Sequence, residues 1–363
     1  MPEFVKGLDL CQAFFEDIAR PIIAAVCPNL RYSAAVIGYG SDVLGFDDAM
    51  STDHMWGPRF QLFLPADGFS DDQSRLAEAF ARGFPAQFKG YSVHFSAPDP
   101  DDRGVQVPAP VTEGRVNPLV EYHTLESFFE GYLGYTPGKD IPAAQWLTFS
   151  EHRLLGVTAG QVFHDDLGLN AVREPLRYFP RDVWLWMMAA QWIMLGEEEA
   201  FSGRTGYVGD EIGSRLIAAR QVQRAMRLCF LMERRYAPYS KWFGSAFQQL
   251  NAAPQLAPVM ERVLRAEGWQ ERGAALGEMY SLLAEKHNTL GVSQPLDART
   301  RDYFERPFQV LFPGRFAETL LDAIEDPQVK RLRQVIGSVS QFTDSTTVFD
   351  DTQVCARMRN LYE

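Results

Sequence analysis

Hydrophobic periodicity changes character once along this chain, and that change limits the possible folds more than any other feature. Strand-like runs occur only before residue 100. Arg31–Ile37 (RYSAAVI) reads as a buried strand, Pro58–Pro65 as a second with Phe60, Leu62 and Leu64 alternating, and Tyr91–Ser96 as a third. They are interleaved with helical patterns at 7–26 (Leu8, Cys11, Phe15, Ile18, Ile22, Val26) and 71–82. The stretch 97–118 is rich in Pro and Asp and reads as a long loop, and helical spacing returns from Thr124. From Val183 onward the segments 183–200, 211–235, 257–289 and 315–335 all repeat at helical spacing. The pattern predicts an α+β protein, with a mixed-sheet N-terminal domain over 1–170 and an all-helical domain over 171–363. At 363 residues the chain is long enough for two cores.

Charge divides along the same line. Residues 1–165 carry 22 Asp/Glu against 11 Lys/Arg, and residues 166–363 carry 25 against 24. A chain of net charge −12 is a poor general binder of DNA, because phosphate contacts need Lys and Arg. The four cysteines, Cys11, Cys27, Cys229 and Cys355, form no CxxC knuckle, and thiols this sparse suit a reducing compartment. The start MPEFVKGLDL has no apolar signal core, and the longest apolar run, Val183–Gly196, is 14 residues, too short to cross a bilayer. A cytoplasmic protein with no membrane partner is expected.

The informative segment is Ile37–Leu64, a strand, a Gly-Ser turn, a connector, an acid and a second strand. Gly38, Gly40 and Gly45 do not make a dinucleotide-binding G-x-G-x-x-G, and neither a Gly-Lys-Ser/Thr loop nor a G-x-S-x-G elbow is present. Gly40-Ser41 followed by Asp53 twelve residues after Ser41 is a different arrangement. Small residues let a phosphate approach backbone N–H donors, and hard carboxylate oxygens suit Mg²⁺.

This arrangement resembles the nucleotidyltransferase superfamily, the fold of polymerase beta and of aminoglycoside nucleotidyltransferases. GSDVLGFDD, STDHMWGPR, GRTGYVGDEIGS and LCFLMERRYAPYSKWFGSAF further resemble a bacterial family of unknown function that joins such a domain to a helical one. The resemblance implies a nucleotidyltransferase-like N-terminal domain. In that superfamily the Gly-Ser amides hold nucleotide phosphates, an Asp-x-Asp pair on the next strand holds divalent metal, and a carboxylate joins from a later strand. Here residues 53–55 are Asp53-His54-Met55, and a thioether is a poor Mg²⁺ ligand. The region Tyr91–Ser96, where the later carboxylate is expected, offers His94. Asp42, Asp47 and Asp48 could rescue a metal site from the connector.

Residues 204–241 hold eight Lys/Arg against Asp210, Glu211 and Glu233. Arg220, Arg224, Arg227 and Arg234 fall on one helical face at about 100° per residue. They either pair with acids of the N-terminal domain or line a cleft and meet a triphosphate. In the resembling aminoglycoside enzymes an acid of the helical domain is the general base, which implies Glu233 here; its alternative is an ion pair. The run Tyr236, Tyr239, Trp242, Phe243 reads as core or interface.

The leading expectation is therefore transfer of a nucleoside monophosphate from an NTP to an unidentified small hydroxylated molecule, RNA end or protein side chain. Asp53 and Glu233 would be catalytic. Gly40, Ser41, Arg59, Arg220, Arg227 and Lys241 would hold the nucleotide, and Asp53, His54 and His94 a metal, Mg²⁺ or another divalent ion. The alternative is a catalytically impaired nucleotide-binding or interaction protein on the same fold. A third reading is a transition-metal protein built on Asp53, His54 and His94.

Overall fold

A computed structural model describes residues 3–102, 104–111 and 114–363. Arg103, Thr112 and Glu113, inside the expected 97–118 loop, lie outside the described residues. The chain forms two compact units, residues 1–140 with 153–177, and residues 141–152 with 178–363. It thus crosses between units three times rather than once near residue 170.

The first unit is built on a four-stranded mixed sheet in the order β5-β2-β1-β6. Its strands are β1 (Ser33–Val36), β2 (Arg59–Phe63), β5 (Leu119–His123) and β6 (Gln161–Asp165), while β3 (Gln87–Phe88) and β4 (Tyr91–Ser92) form a separate hairpin. β1 is antiparallel to β2 and β6, and β2 is parallel to β5. Every residue of β1 and β2 is buried, which fits the apolar run of β1, while β2 keeps its alternation by burying Arg59 and Gln61 in polar contacts. Phe60 and Leu62 join Phe14, Phe15 and Phe80 in the main core, whereas Arg59 and Gln61 alternate to the opposite face.

The expected strand 91–96 is not in this sheet. Lys89 and Gly90 both have positive φ, the backbone of a two-residue hairpin loop, so Tyr91–Ser92 folds back on Gln87–Phe88. The third and fourth sheet strands are instead 119–123 and 161–165. The helix expected over 7–26 is present as Gly7–Phe14, a π-helical stretch Phe15–Ala19, and Arg20–Val26. Pro21 cannot donate a backbone bond to the preceding turn, and the local widening accommodates that loss.

The second unit is helical apart from one hairpin, β7 (Arg301–Tyr303) with β8 (Arg306–Val310). The helix Arg181–Glu198 is buried on most sides, which explains its unbroken apolar sequence. Around it lie Glu211–Met232, Trp269–Thr289 and Gly314–Asp322. The pattern at 257–289 resolves into two helices, Ala253–Arg265 and Trp269–Thr289, and that at 315–335 stops at Asp322. No helix among the described residues is long and apolar enough to cross a membrane.

Trp192 centres this core. Its ring stacks on Phe316 at 4.7 Å, and its indole N–H donates to Nδ1 of His287 at 3.1 Å. His287 is 1% exposed, and burial pushes its pKa down to about 4. The neutral imidazole accepts the indole proton, whereas the imidazolium would oppose donor to donor. A folded-state pKa below the unfolded value gives stability that is complete above pH 6.5 and is lost as pH falls through about 4. We expect this loss to be on the order of 3 kcal/mol in the wild type. His287→Gln keeps an acceptor for Trp192 and should remove that part of the acid sensitivity. Urea unfolding of both proteins between pH 7 and pH 4 measures the difference, and parallel pH profiles would refute it.

Candidate functional site

The site grows from the turn that ends β1. Ile37 donates its N–H to Gln61 Oε1 at 3.1 Å, and Gln61 Nε2 donates back to the Ile37 carbonyl at 3.2 Å. The Gln61 side chain thereby extends the β1–β2 pairing beyond the backbone ladder. Gly38 N–H then donates to the Gly156 carbonyl at 2.8 Å. The contact is so close that a Cβ on Gly156 would sit 2.2 Å from the Gly38 oxygen.

Gly40 has φ +123°, and a Cβ there would lie 2.1 Å from Asp42 Oδ1 and 2.5 Å from Arg59 Nη2. Only glycine satisfies both the backbone and the space. The Arg59 fork grips Asp42, with Nη2 at 2.9 and 3.0 Å from the two oxygens and Nε at 3.2 Å from Oδ2. Nη2 also donates to the Tyr39 carbonyl at 2.8 Å, and the guanidinium lies over the Tyr39 ring at 4.9 Å. Both members of the pair are buried. Burial opposes the Arg59 charge, but the Asp42 carboxylate outweighs it and drives the Arg59 pKa upward.

Beside this pair, the Tyr39 hydroxyl donates to Glu121, whose other oxygen faces His123 Nε2 at 3.2 Å. Burial raises the Tyr39 pKa, and the neighbouring Glu121 charge adds to the shift. Burial would raise Glu121 as well, yet the hydrogen bonds from His123 and Tyr39 and the Arg59 charge hold it below the usual carboxylate range. Gln61 and Glu121 are register partners on adjacent parallel strands. It is β5, not residues 91–96, that places a carboxylate, Glu121, beside this turn. Its signal was the capping box at Thr124 and Ser127, which starts the helix Leu125–Leu133 and leaves LVEYH as a strand.

From Tyr39 to Val43 no backbone N–H finds an acceptor among the described residues. Ser41 is half-buried in this turn, and its hydroxyl has no partner among the described residues. Gly40, Ser41 and Arg59 are thus brought together as expected, but Arg59 is sealed in an ion pair with Asp42 and cannot neutralise a ligand as expected of it.

The residues expected to hold a metal do not form a cluster among the described residues. Asp53 ends a 3₁₀ turn (Ala49–Asp53) rather than starting a strand, since Met55 (φ +49°), Gly57 (φ +142°) and Pro58 interrupt the approach to β2. Its carboxylate pairs with His54 Nδ1 at 2.9 Å, and both side chains are more than half exposed. His94 Nδ1 instead accepts the Asn117 N–H at 2.9 Å. The connector acids are engaged too. Asp42 holds Arg59. Asp47 accepts from Gly7 N–H at 2.7 Å, Trp56 Nε1 at 3.2 Å and Lys6 Nζ at 3.2 Å, and Asp48 caps the 3₁₀ turn. Among the described residues no group of three or more His, Cys, Asp or Glu could hold a metal ion.

The remaining candidates lie in the helical unit. Glu233 accepts from Asn251 N–H and Ala252 N–H, each at 2.8 Å, and faces Lys286 Nζ at 3.5 Å. It fastens the entry to the helix Ala253–Arg265. Arg220 and Arg224 share Glu198 at 2.8 and 2.9 Å, and Arg227 meets buried Glu151 at 3.3 Å. Arg220 and Arg224 find their acid in the helical stretch itself, a correction to the expectation of partners in the N-terminal domain, whereas Arg227 does pair with an acid of residues 1–170, one that the structure assigns to the helical unit. Lys241 is exposed over the Trp242 ring.

A domain of unknown function, DUF4037, matches residues 146–243. Comparison with curated proteins yields no match. Among solved structures, a nucleotidyltransferase-like protein from Exiguobacterium sibiricum 255-15 is similar at 14% identity and a TM-score of 0.36, over 80% of this chain and 83% of that one.

Removing one member of a buried ion pair leaves the other charge uncompensated, at a cost of about 3–5 kcal/mol. Asp42→Ala and Arg59→Met should each destabilise the sheet unit by that order. The double variant should lose clearly less than the sum, which guanidinium unfolding of all four proteins measures.

Proposed function

We propose that the Tyr39–Val43 turn binds the phosphates of a nucleotide, and that this is a nucleotide-binding domain of nucleotidyltransferase-like character without the metal-dependent transfer step. The observation that carries the reading is the run of backbone N–H groups from Tyr39 to Val43 with no internal acceptor. Buried polar groups otherwise find partners, and positive-φ glycines at Gly38 and Gly40 flanking Tyr39 make the kind of concave backbone that holds anions. The Asp42–Arg59 pair fixes that backbone before any ligand arrives, so little ordering cost falls on binding. Ser41 adds a hydroxyl donor.

A divalent metal would supply charge neutralisation on the phosphates. The donors present do not fit it. Asp53 pairs with His54, Met55 offers sulfur, and Glu121 is held by Tyr39 and His123. Nucleotidyl transfer is the second reading, favoured by one observation: Asp53 is 69% exposed and could turn toward a ligand.

Calorimetric titration with ATP and GTP, with Mg²⁺ and with EDTA, separates the two. We expect binding that survives EDTA and Asp53→Asn, and that falls about tenfold or more in Ser41→Glu, whose carboxylate repels phosphate. Binding that requires Mg²⁺ and disappears in Asp53→Asn would select the transfer reading. In that case Met55→Asp should strengthen binding, since Asp tolerates the positive φ better than Met does. No binding of either nucleotide would overturn both.

A further inference from the structure

The helical unit contains a cavity of about 360 Å³ that is independent of the proposed nucleotide site. Its walls are mainly apolar, with Val222, Met226, Phe243 and Phe349 prominent. One polar end holds Arg227 and Asp344. A largely apolar cavity with a few convergent polar groups is the usual form of a small-molecule site.

The polar end is built in two layers of different strength. Behind Arg227 lies Glu151, fully buried, with Oε1 at 3.3 Å from Nη1 and Oε2 accepting the Ala237 N–H at 3.0 Å. The Arg227 side chain is 9% exposed, and its guanidinium lies over the Phe243 ring at 5.3 Å. In front lies Asp344, whose side chain is 53% exposed and touches Arg227 Nη2 at 3.5 Å, with a further hydrogen bond from Gln223 Nε2 at 2.8 Å. The inner pair is permanent, because breaking it would leave Glu151 charged and buried. The outer contact is long, exposed and screened by solvent, so it contributes little.

We propose that this cavity binds a small amphipathic anion, an aromatic or aliphatic carboxylate, whose head displaces Asp344 from Arg227 and whose apolar body fills the space between Met226, Phe243 and Phe349. Asp344 is the internal stand-in for that head. The displaced Asp344, already 53% exposed, passes to solvent, where its repulsion of the incoming carboxylate is screened. Gln223 is placed to donate to either carboxylate. Asp344 precedes the short helix Thr346–Asp350, which brings Phe349 to the cavity wall. Occupancy therefore couples to the seating of this C-terminal segment.

The probe is 1-anilinonaphthalene-8-sulfonate, an aromatic anion whose fluorescence rises in apolar surroundings, displaced by 2-naphthoate. The wild type should bind one equivalent, and naphthoate should displace it while neutral naphthalene-methanol should not. Asp344→Asn removes the internal competitor without touching Arg227 or Glu151 and should tighten binding about two- to fivefold. Ala219→Trp fills the cavity from an exposed rim position and should abolish binding with an unchanged urea midpoint. Ile212→Ser, at an exposed apolar position on the same helix, should bind as the wild type does. The proposal fails if Asp344→Asn leaves affinity unchanged or weaker, if Ala219→Trp still binds, or if Ile212→Ser alone removes the signal.

Discussion

The buried pair between Asp42 and Arg59 is the interaction on which the sheet unit depends. Arg59 stands on β2, whose other face carries Phe60 and Leu62 into the main core, so its position is set by hydrophobic packing it does not share. From there it reaches across to the turn after β1 and fixes Tyr39 through the carbonyl and Asp42 through both oxygens. The requirement for glycine at residue 40 follows directly, since the fork occupies the volume of a side chain there. Arg59 is 2% exposed and turned toward Asp42 and Tyr39, so it is not open to a ligand. The same constraint that shapes the turn therefore removes Arg59 from the binding groups and leaves the backbone amides as the donors.

The helical unit meets an equivalent problem with a different outcome. Its arginine face lies on a helix that is buried along much of one side, and each guanidinium needs a carboxylate. Glu198, at the end of the central helix, serves two of them, and Glu151 serves the third. Burial raises the Glu151 pKa, while Arg227 and the Ala237 N–H oppose the shift. The polar centres of the two units are alike in containing one sealed pair, and unlike in what surrounds it: amides in one, apolar side chains in the other.

How much of this was legible in sequence depends on how far apart the partners lie. β1, β2 and the intervening turn were readable because alternation at Phe60, Leu62 and Leu64 and the glycines at 38 and 40 are local signals. β5 was not, because LVEYH borders a long irregular stretch and its sheet partner is some sixty residues earlier. Asp42 looked like a spare acid, since nothing within the turn reveals that Arg59 will claim it. The arginine face was correctly seen to need acids. Charge totals by half of the chain, however, cannot say which acid is near, and Glu198 lies on a helix that the totals treat as neutral background. Asp53 was placed on a strand by analogy of spacing, whereas Met55, Gly57 and Pro58 impose a break that spacing does not register.

The route of the chain sets a condition on inheritance. It leaves the sheet unit after Asp140, returns at Arg153 and leaves again after Arg177. The excursion supplies Glu151 to the helical unit, and the return supplies β6 and the glycines 156 and 160 that press against the β1 turn. Neither unit is a continuous stretch of gene. A single breakpoint anywhere along the chain strips one unit of part of its own interior: a strand and its close-packed glycines in one case, the buried counter-ion of Arg227 in the other. Recombination can therefore exchange either unit for a relative only by moving two segments together, so the two units are expected to travel through evolution as one object.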